Sequence, residues 1–538
     1  MNSKNIFTVI TFIIFCFFFC SSCTEILQDR VIENKIKIAV KGKSYSLNPY
    51  IAKEQNSLEI RDLLFLSFFD WDENWNMFPR LAENFKLKDF YKDVDGEHTL
   101  KIDISPNIRW SNGLFSNTGD ITFSCIAISH PTIEKLNESW FSDMGKIEAI
   151  SPYTFTLKLS RADLSFIPDF RPIPFYALKD SMFSDSNSFF KDPVKISLVS
   201  NGPYKIYKYK LKNKAISNVR LIKNEEYVSN TNIDEIDIDY YSNISNKKFE
   251  KYYKKYDFLP SLNKEQAEII KQDSKYNVIS CEGTKLFALF FNMRGITSDV
   301  LFRNAIYKQI DRKKIAEKYL DKNANFAESF LNKRRYDFIP LFDYKYSSNE
   351  ALEAIIDAGM SIKDGQVVIN DKPINIKIAT TPDSANVAKM IESDLKKAGI
   401  STTLNIYKSL SYYDMLDLKE KPDLYIISLE SDIFTEPGSI FSSGMGNVYS
   451  KMPYSDMCLS NWRDEFNTRL CIDYINTSDI EERKVISEEH QRLVFENLPA
   501  IPLFFDFKYC ASTKRINGIK PRGFGSDLWN VETWKVNN

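Results

Sequence analysis

The stretch INIKIATTPDSANVAKMIESDLKKAGISTTLNIY, residues 374–407, decides the fold. From Ile374 to Ala379 apolar and polar side chains alternate, the period of a half-buried strand. Ser384 can then cap a helix whose Val387, Met390, Ile391, Leu395 and Ala398 form one apolar stripe. Gly399 stops that helix, as a glycine does at a C-terminus. Thr402 to Tyr407 is a second strand and Leu424 to Leu429 a third. Strand, helix, strand in this order is a βαβ-type unit, so at least one lobe is α/β.

Outward from this unit the same two periods recur. Lys35 to Val40, Thr99 to Ile104 and Thr154 to Leu159 alternate as strands do. Asp299 to Leu320 and Asp479 to Leu498 predict two longer amphipathic helices, the second ended by Pro499. No repeat, low-complexity tract or long linker breaks the chain. Its 538 residues exceed what one core sustains, so two or three lobes are expected.

The N-terminus reads as a targeting segment. After Lys4, the apolar run Ile6 to Cys20 is shorter than the ~20 residues of a membrane-spanning helix. It fits the core of a signal peptide over residues 1–22. Cys20-Ser21-Ser22-Cys23 resembles a bacterial lipobox, with Cys20 where Leu is usual. That likeness implies cleavage before Cys23, a lipid on its thiol, and attachment to a membrane of the cell envelope. The chain carries 71 Lys and Arg against 72 Asp and Glu, a net charge of −1. Such neutrality argues against a nucleic-acid partner, which needs a basic surface, and against steering of one class of charged ligand.

Six cysteines follow the signal segment: Cys23, Cys125, Cys281, Cys458, Cys471 and Cys510. With Cys23 assigned to lipid, five remain, and an odd number cannot pair completely. Cys458 with Cys471, or Cys281 with Cys510, are the open pairings beside free thiols. The spacings lack the CxxC of a zinc site, and His98, His130 and His490 lie far apart, so no metal or cofactor is expected.

Short motifs run through the chain in a fixed order. They are Leu47-Asn48-Pro49, Pro79-Arg80-Leu81-Ala82-Glu83, Ile108 to Gly113 (IRWSNG), Asp120 to Ser124 (DITFS), Asn201 to Lys205 (NGPYK), and Lys223 to Tyr227 (KNEEY). Phe291-Asn292, Arg303-Asn304-Ala305, Ile310-Asp311-Arg312 and Leu498 to Leu503 (LPAIPL) complete the set. Read physically, Gly113 and Gly202 are expected at turns needing positive φ, Trp110 as a core plug, and the Arg303 to Asp311 stretch as a solvated helix face or a local ion pair. Together the ordered motifs resemble the peptide/nickel, oligopeptide-binding type, family of bacterial extracellular solute-binding proteins of ABC importers.

That resemblance implies an α/β, two-lobed periplasmic-binding-protein-like fold with a hinge and cleft, plus an extra α+β lobe. By position, residues 35–64, 196–283 and 506–538 make a discontinuous first lobe, 65–195 the extra lobe, and 284–505 the second. It also implies a monomeric, non-enzymatic receptor that takes a peptide ligand and hands it to the importer's permease subunits. A receptor for many peptides must read backbone amides and charged ends, with the ligand added as a strand in a closing cleft. Asp432 sits at the family's spacing from Asp423, before Thr435-Glu436-Pro437, and takes the role of anchor for the ligand α-amine. Leu429, Glu430 and Ser431 would offer backbone groups to the ligand, as would Lys53, Glu54 and Gln55 on the opposite lobe.

Three departures alter the expected site. Glu430 and Leu429 stand where close relatives carry Cys and Trp, so Cys281 lacks the partner it has in some oligopeptide binders. Ile426 replaces an Arg near the ligand, which puts a carboxylate anchor in doubt. A dipeptide, cell-wall peptide, glutathione, haem or nickel complex are the alternative ligands, and adhesion is an alternative role. No GxSxG, HExxH, Walker loop or GxGxxG is present to favour an enzyme.

Overall fold

The computed structural model describes residues 34–51, 55–83, 90–92, 98–131, 144–159, 170–229, 231–242, 244–320, 324–408, 410, 421–433, 436, 440–441 and 460–537. Ten strands form one mixed sheet: β1 (Lys35–Lys41), β2 (Tyr204–Lys212), β3 (Ala215–Lys223), β4 (Glu235–Tyr241), β5 (Phe258–Leu262), β6 (Tyr276–Phe291), β7 (Asn375–Thr380), β8 (Ser401–Ile406), β9 (Leu424–Glu430) and β10 (Ala500–Thr513). Their order is β8-β7-β9-β6-β10-β5-β1-β4-β3-β2. The β7–β8 and β7–β9 pairs are parallel, joined across α5 (Ala385–Lys397), so the βαβ unit is present. Helices α1 (Gln55–Leu64), α2 (Thr118–Ile128), α3 (Val300–Gln309), α4 (Arg312–Tyr319), α6 (Glu465–Asn476) and α7 (Ile480–Asn497) pack around these sheets.

Two large apolar cores sit on this sheet. One gathers side chains from Ile36 to Phe258 and from Cys510 to Trp534. The other runs from Leu286 to Phe505. The long antiparallel strands β6 and β10 serve both. Their Leu286–Phe291 and Ala500–Phe505 ends lie in the second core, and Cys510 reaches the first. They therefore cross between the lobes, the place from which a hinge can act. The extra lobe holds a four-stranded antiparallel sheet in the order 90–92, 98–103, 154–159, 144–151. Trp110 is buried there, its indole N–H donating to Asp120 Oδ2 at 2.9 Å, while Asp120 and Asn117 close a capping box on α2.

The structure corrects several readings of the sequence. The helix expected over Asp299 to Leu320 is two helices. Ile310 turns extended, with φ −88 and ψ 118, and Asp311 accepts the Lys314 N–H to start α4. Ser384 precedes α5 but makes no side-chain cap. Gly202 is not at positive φ; it is needed because a Cβ there would meet the Leu63 carbonyl oxygen at 2.6 Å. Gly113, at φ +85, does fit a left-handed turn. Arg303 is no solvated charge: it is buried and donates to the carbonyls of Thr297, Ser298 and Asn497. Cys125, Cys281, Cys471 and Cys510 are free thiols, so Cys281 and Cys510 do not pair, while Cys458 lies outside the described residues.

Candidate functional site

The crossing strands carry an irregularity where the cleft opens. Glu282 faces Phe507 and Leu286 faces Phe505, so Gly283, Thr284 and Lys285 stand against the single residue Asp506. Such a bulge re-aims side chains and bends a strand. Here it turns Asp506 into the cleft, where its Oδ1 accepts the Lys285 N–H at 3.2 Å. A Cβ on Gly283 would collide with that carboxylate, so glycine makes the room for it.

Two adjoining cavities lie between the lobes and share Lys285, Asp506, Phe507 and Tyr509. The smaller, of about 510 Å³, is walled by α1 through Leu58, Arg61 and Asp62, by Asp70 and Arg171, and by Arg522, Phe524 and Gly525. Thr284, Glu430 and Asp432 wall it from the second lobe. The larger, of about 1200 Å³, lies between Lys264 to Ile269 and the helices carrying Lys314, Lys318 and Lys389.

Both walls of the smaller cavity carry charge. On α1, Asp62 is the hub of three nearly buried arginines: Arg171 Nη2 at 2.8 Å, Arg61 Nε at 3.1 Å and Arg522 Nη2 at 3.8 Å. Burial alone would raise the Asp62 carboxyl, yet the three guanidiniums hold it down at about 2. Arg522 also pairs with Asp70 and donates to the Trp71 carbonyl at 2.8 Å. On the second lobe stand Glu430 and Asp432, with Asp506 at the floor. Burial pushes the Asp506 carboxyl up to about 6, against the pull of Lys508. One wall thus carries three guanidiniums compensated by Asp62 and Asp70, and the other carries Glu430 and Asp432 beside Lys285.

The predicted anchor region falls at this cavity. Asp432 lines it and is half-buried, and Glu430 lines it with Oε2 accepting the Thr284 hydroxyl at 2.8 Å. The loop behind them is held from below by Arg335. That buried guanidinium donates to the Asp432 and Ile433 carbonyls at 3.0 and 2.8 Å, and to both carboxylate oxygens of Asp337 at 2.8 Å.

Other predicted contributors are placed less simply. The Leu429 side chain belongs to the second core. Ser431 is buried, its N–H donating to the Thr284 carbonyl and its hydroxyl to that of Phe330, both at 2.7 Å. Ser431 therefore spends its N–H, one of its two backbone groups, inside the protein. Ile426 is fully buried, so its side chain does not reach the cleft. Strand β9 pairs with β6 along its length but with β7 only over Leu424 to Ile426, so beyond Ile426 one edge has no neighbouring strand among the described residues. Gln55 begins α1, whereas Lys53, Glu54, Cys23, Thr435 and Pro437 lie outside the described residues.

Sequence reasoning missed Arg61, Asp62, Arg171, Arg335 and Asp506. Asp506 alone carried a signal, as a carboxylate among Ile501, Leu503, Phe504, Phe505 and Phe507 in the apolar half of its strand. No cluster of His, Cys, Asp and Glu suited to a metal ion occurs among the described residues, and none of their helices is long and apolar enough to cross a membrane.

Two α/β lobes joined by crossing strands, with a charged cleft between them, define a hinged binding protein. The match of residues 76–449 to the bacterial extracellular solute-binding proteins, family 5, places the chain in that family. Its members bind solutes outside the cytoplasm for ABC importers and as a class are not catalysts. The chain is similar to the peptide transport periplasmic protein SapA of Haemophilus influenzae, 22% identical over 92% of each chain. Among solved structures it resembles NikZ from Campylobacter jejuni in complex with Ni(L-His), at a TM-score of 0.67 and 22% identity over 93% of this chain and 99% of that one. It also resembles the oligopeptide-binding protein AppA of Bacillus subtilis in complex with a nonapeptide, at 0.62 and 16% identity over 94% and 99%.

Proposed function

We propose that this protein captures oligopeptides between its lobes and delivers them to the permease of an ABC importer. In this reading it is a monomer anchored to the membrane by a lipid on Cys23, with the lobes divided at the limits given above. The carrying observation is the Asp432 carboxylate, set at the cleft wall by a loop that Arg335 holds from beneath. It pairs with the ligand ammonium. The edge of β9 beyond Ile426 receives the ligand backbone as an added strand. Two adjoining cavities, the larger of about 1200 Å³, offer more room than the roughly 300–1,000 Å³ of an ordinary small-molecule pocket. That favours a peptide of several residues over a dipeptide, glutathione or a nickel complex.

Calorimetry with one peptide in free and N-acetylated form tests the reading. Asp432→Asn should weaken the free form by about 10²–10³, because breaking a buried charge pair costs roughly 3–5 kcal/mol. The acetylated form should bind the unaltered protein poorly and lose little more in the variant. Equal losses for both forms would remove Asp432 from amine recognition. Failure of the unaltered protein to bind any peptide would turn the choice to the other ligands.

A further inference from the structure

The segment Tyr204 to Lys214, YKIYKYKLKNK, holds five lysines and no acid, and Arg220 and Lys223 add two cations before the next acid at Glu225. In a chain with a net charge of −1 this is a local concentration of positive charge. The segment forms β2, the edge strand of the ten-stranded sheet, and turns tightly into β3 through Asn213 and Lys214 at φ 52 and 63. All of Tyr207 to Lys212 is exposed.

The four lysines nearest the turn, Lys208, Lys210, Lys212 and Lys214, have no ion-pair partner among the described residues. Acids close by are already engaged. Glu225 takes Lys205 at 2.6 Å, and Asp234 takes Lys223 at 2.6 Å. Glu235 and Asp237 on β4 are shared by Lys35 and Arg220. Asp239 accepts from Asn218 and from the Tyr256 hydroxyl.

Lysines on an edge strand by themselves discourage pairing with another chain. That role does not account for the apolar groups between them. Tyr207 is 60% exposed, Tyr209 39% and Leu211 49%, three large apolar side chains within five residues. Such a group is more than the scattered apolar residues of an ordinary surface. Tyrosine and lysine share one property: each puts an apolar body under a polar tip. Alternating between the two faces of an exposed edge strand, they suit a bilayer met along that edge, where rings and lysine stems from both faces rest in the headgroup layer and ammonium groups meet phosphate. A two-stranded ribbon has no concavity in which to hold a small anion, whereas a flat charged surface needs none.

We infer that the β2–β3 hairpin docks this protein on an anionic phospholipid surface. The test uses the chain from Thr24, which retains every described residue, and vesicles of phosphatidylcholine with or without phosphatidylglycerol. The protein should sediment with the anionic vesicles, stay in solution with the neutral ones, and be released by salt. Exchanging Lys208, Lys210, Lys212 and Lys214 for Glu should lower partition about tenfold or more, with the unfolding midpoint unchanged. Tyr207→Ser with Leu211→Ser should weaken binding and leave its salt dependence in place. Equal partition onto both vesicle types, or full binding by the four-lysine variant, would overturn the inference. Binding to heparin without binding to anionic vesicles would do the same, by pointing to a soluble polyanion.

Discussion

Arg335 and Asp432 are bound through the backbone: the guanidinium donates to the Asp432 carbonyl at 3.0 Å while its other nitrogens hold the buried Asp337 carboxylate. The main chain of Asp432 is thereby fixed at the cleft wall. Burial would lower the Arg335 pKa, yet Asp337 raises it, so the guanidinium remains charged at any physiological pH. A binding group set on a loop gains precision only if something rigid supports the loop. Here the support is an ion pair, and Asp337 is in turn tied to α7 by the Ser487 hydroxyl at 2.8 Å.

Arg335→Gln should therefore be costly in stability. It leaves Asp337 buried without its counter-charge, a loss on the order of 3–5 kcal/mol by urea denaturation. Arg335→Gln combined with Asp337→Asn removes both charges and should recover much of that loss. In the double variant the Asp432 loop still lacks its full set of donors. Discrimination between free and acetylated peptide should stay below that of the unaltered protein. A double variant no more stable than the single one would show that the two charges do not form an energetic unit.

Asp62 gives the second prediction. Its carboxyl falls from the ordinary 3.8 to about 2, because Arg61, Arg171 and Arg522 outweigh burial. A lowered folded-state pKa gives stability that is present above about 4 and lost as pH falls towards 2. Asp62→Asn should cost on the order of 3–5 kcal/mol at pH 7, since three guanidiniums lose their shared partner. The gap between the two proteins should narrow below about pH 4, as the unaltered carboxyl also gains its proton. A gap unchanged down to about pH 2 would mean that Asp62 acts through shape and not charge.

These charges explain where the sequence could and could not be read. Ile374 to Tyr407 was legible because its side chains repeat with the period of the element they form, and β7, α5 and β8 follow that pattern. The break at Ile310 was hidden. Apolar spacing continues through it, and only Asp311, read as a surface charge, marks the new cap. Arg303 was misread for a related reason: a charged residue suggests solvent, yet three backbone carbonyls can satisfy a buried guanidinium. Asp432, singled out by the family's spacing from Asp423, does line the cleft wall, since both lie on one local segment. The Arg61, Asp62, Arg171 and Arg522 cluster joins positions up to 461 residues apart, and no local pattern announces such a meeting.

The last prediction concerns Asp506, on the crossing strands. Burial raises its carboxyl from the ordinary 3.8 to about 6, with Glu430 adding to the rise and Lys508 and the Lys285 N–H opposing it. The sign is opposite to that of Asp62. Between about pH 4 and 6 the folded protein keeps a proton that the unfolded chain has lost, so stability falls as pH rises through that window. Above it, the ionised carboxylate costs the fold on the order of 2–3 kcal/mol. Asp506→Asn retains an oxygen for the Lys285 N–H and removes the charge. It should be more stable than the unaltered protein by about 1–2 kcal/mol at pH 7.5 and equal to it below about pH 4. Ligand binding adds a second reading of the same group. A peptide ammonium brought into the cleft would favour the ionised form, so binding near pH 6 should release protons. Calorimetry in buffers of different ionisation enthalpy measures that release directly. It should vanish in Asp506→Asn and persist in Asp62→Asn, whose carboxyl is already ionised at that pH. Proton release unchanged by Asp506→Asn would place the titrating group elsewhere and leave Asp506 a structural carboxylate of the bulge.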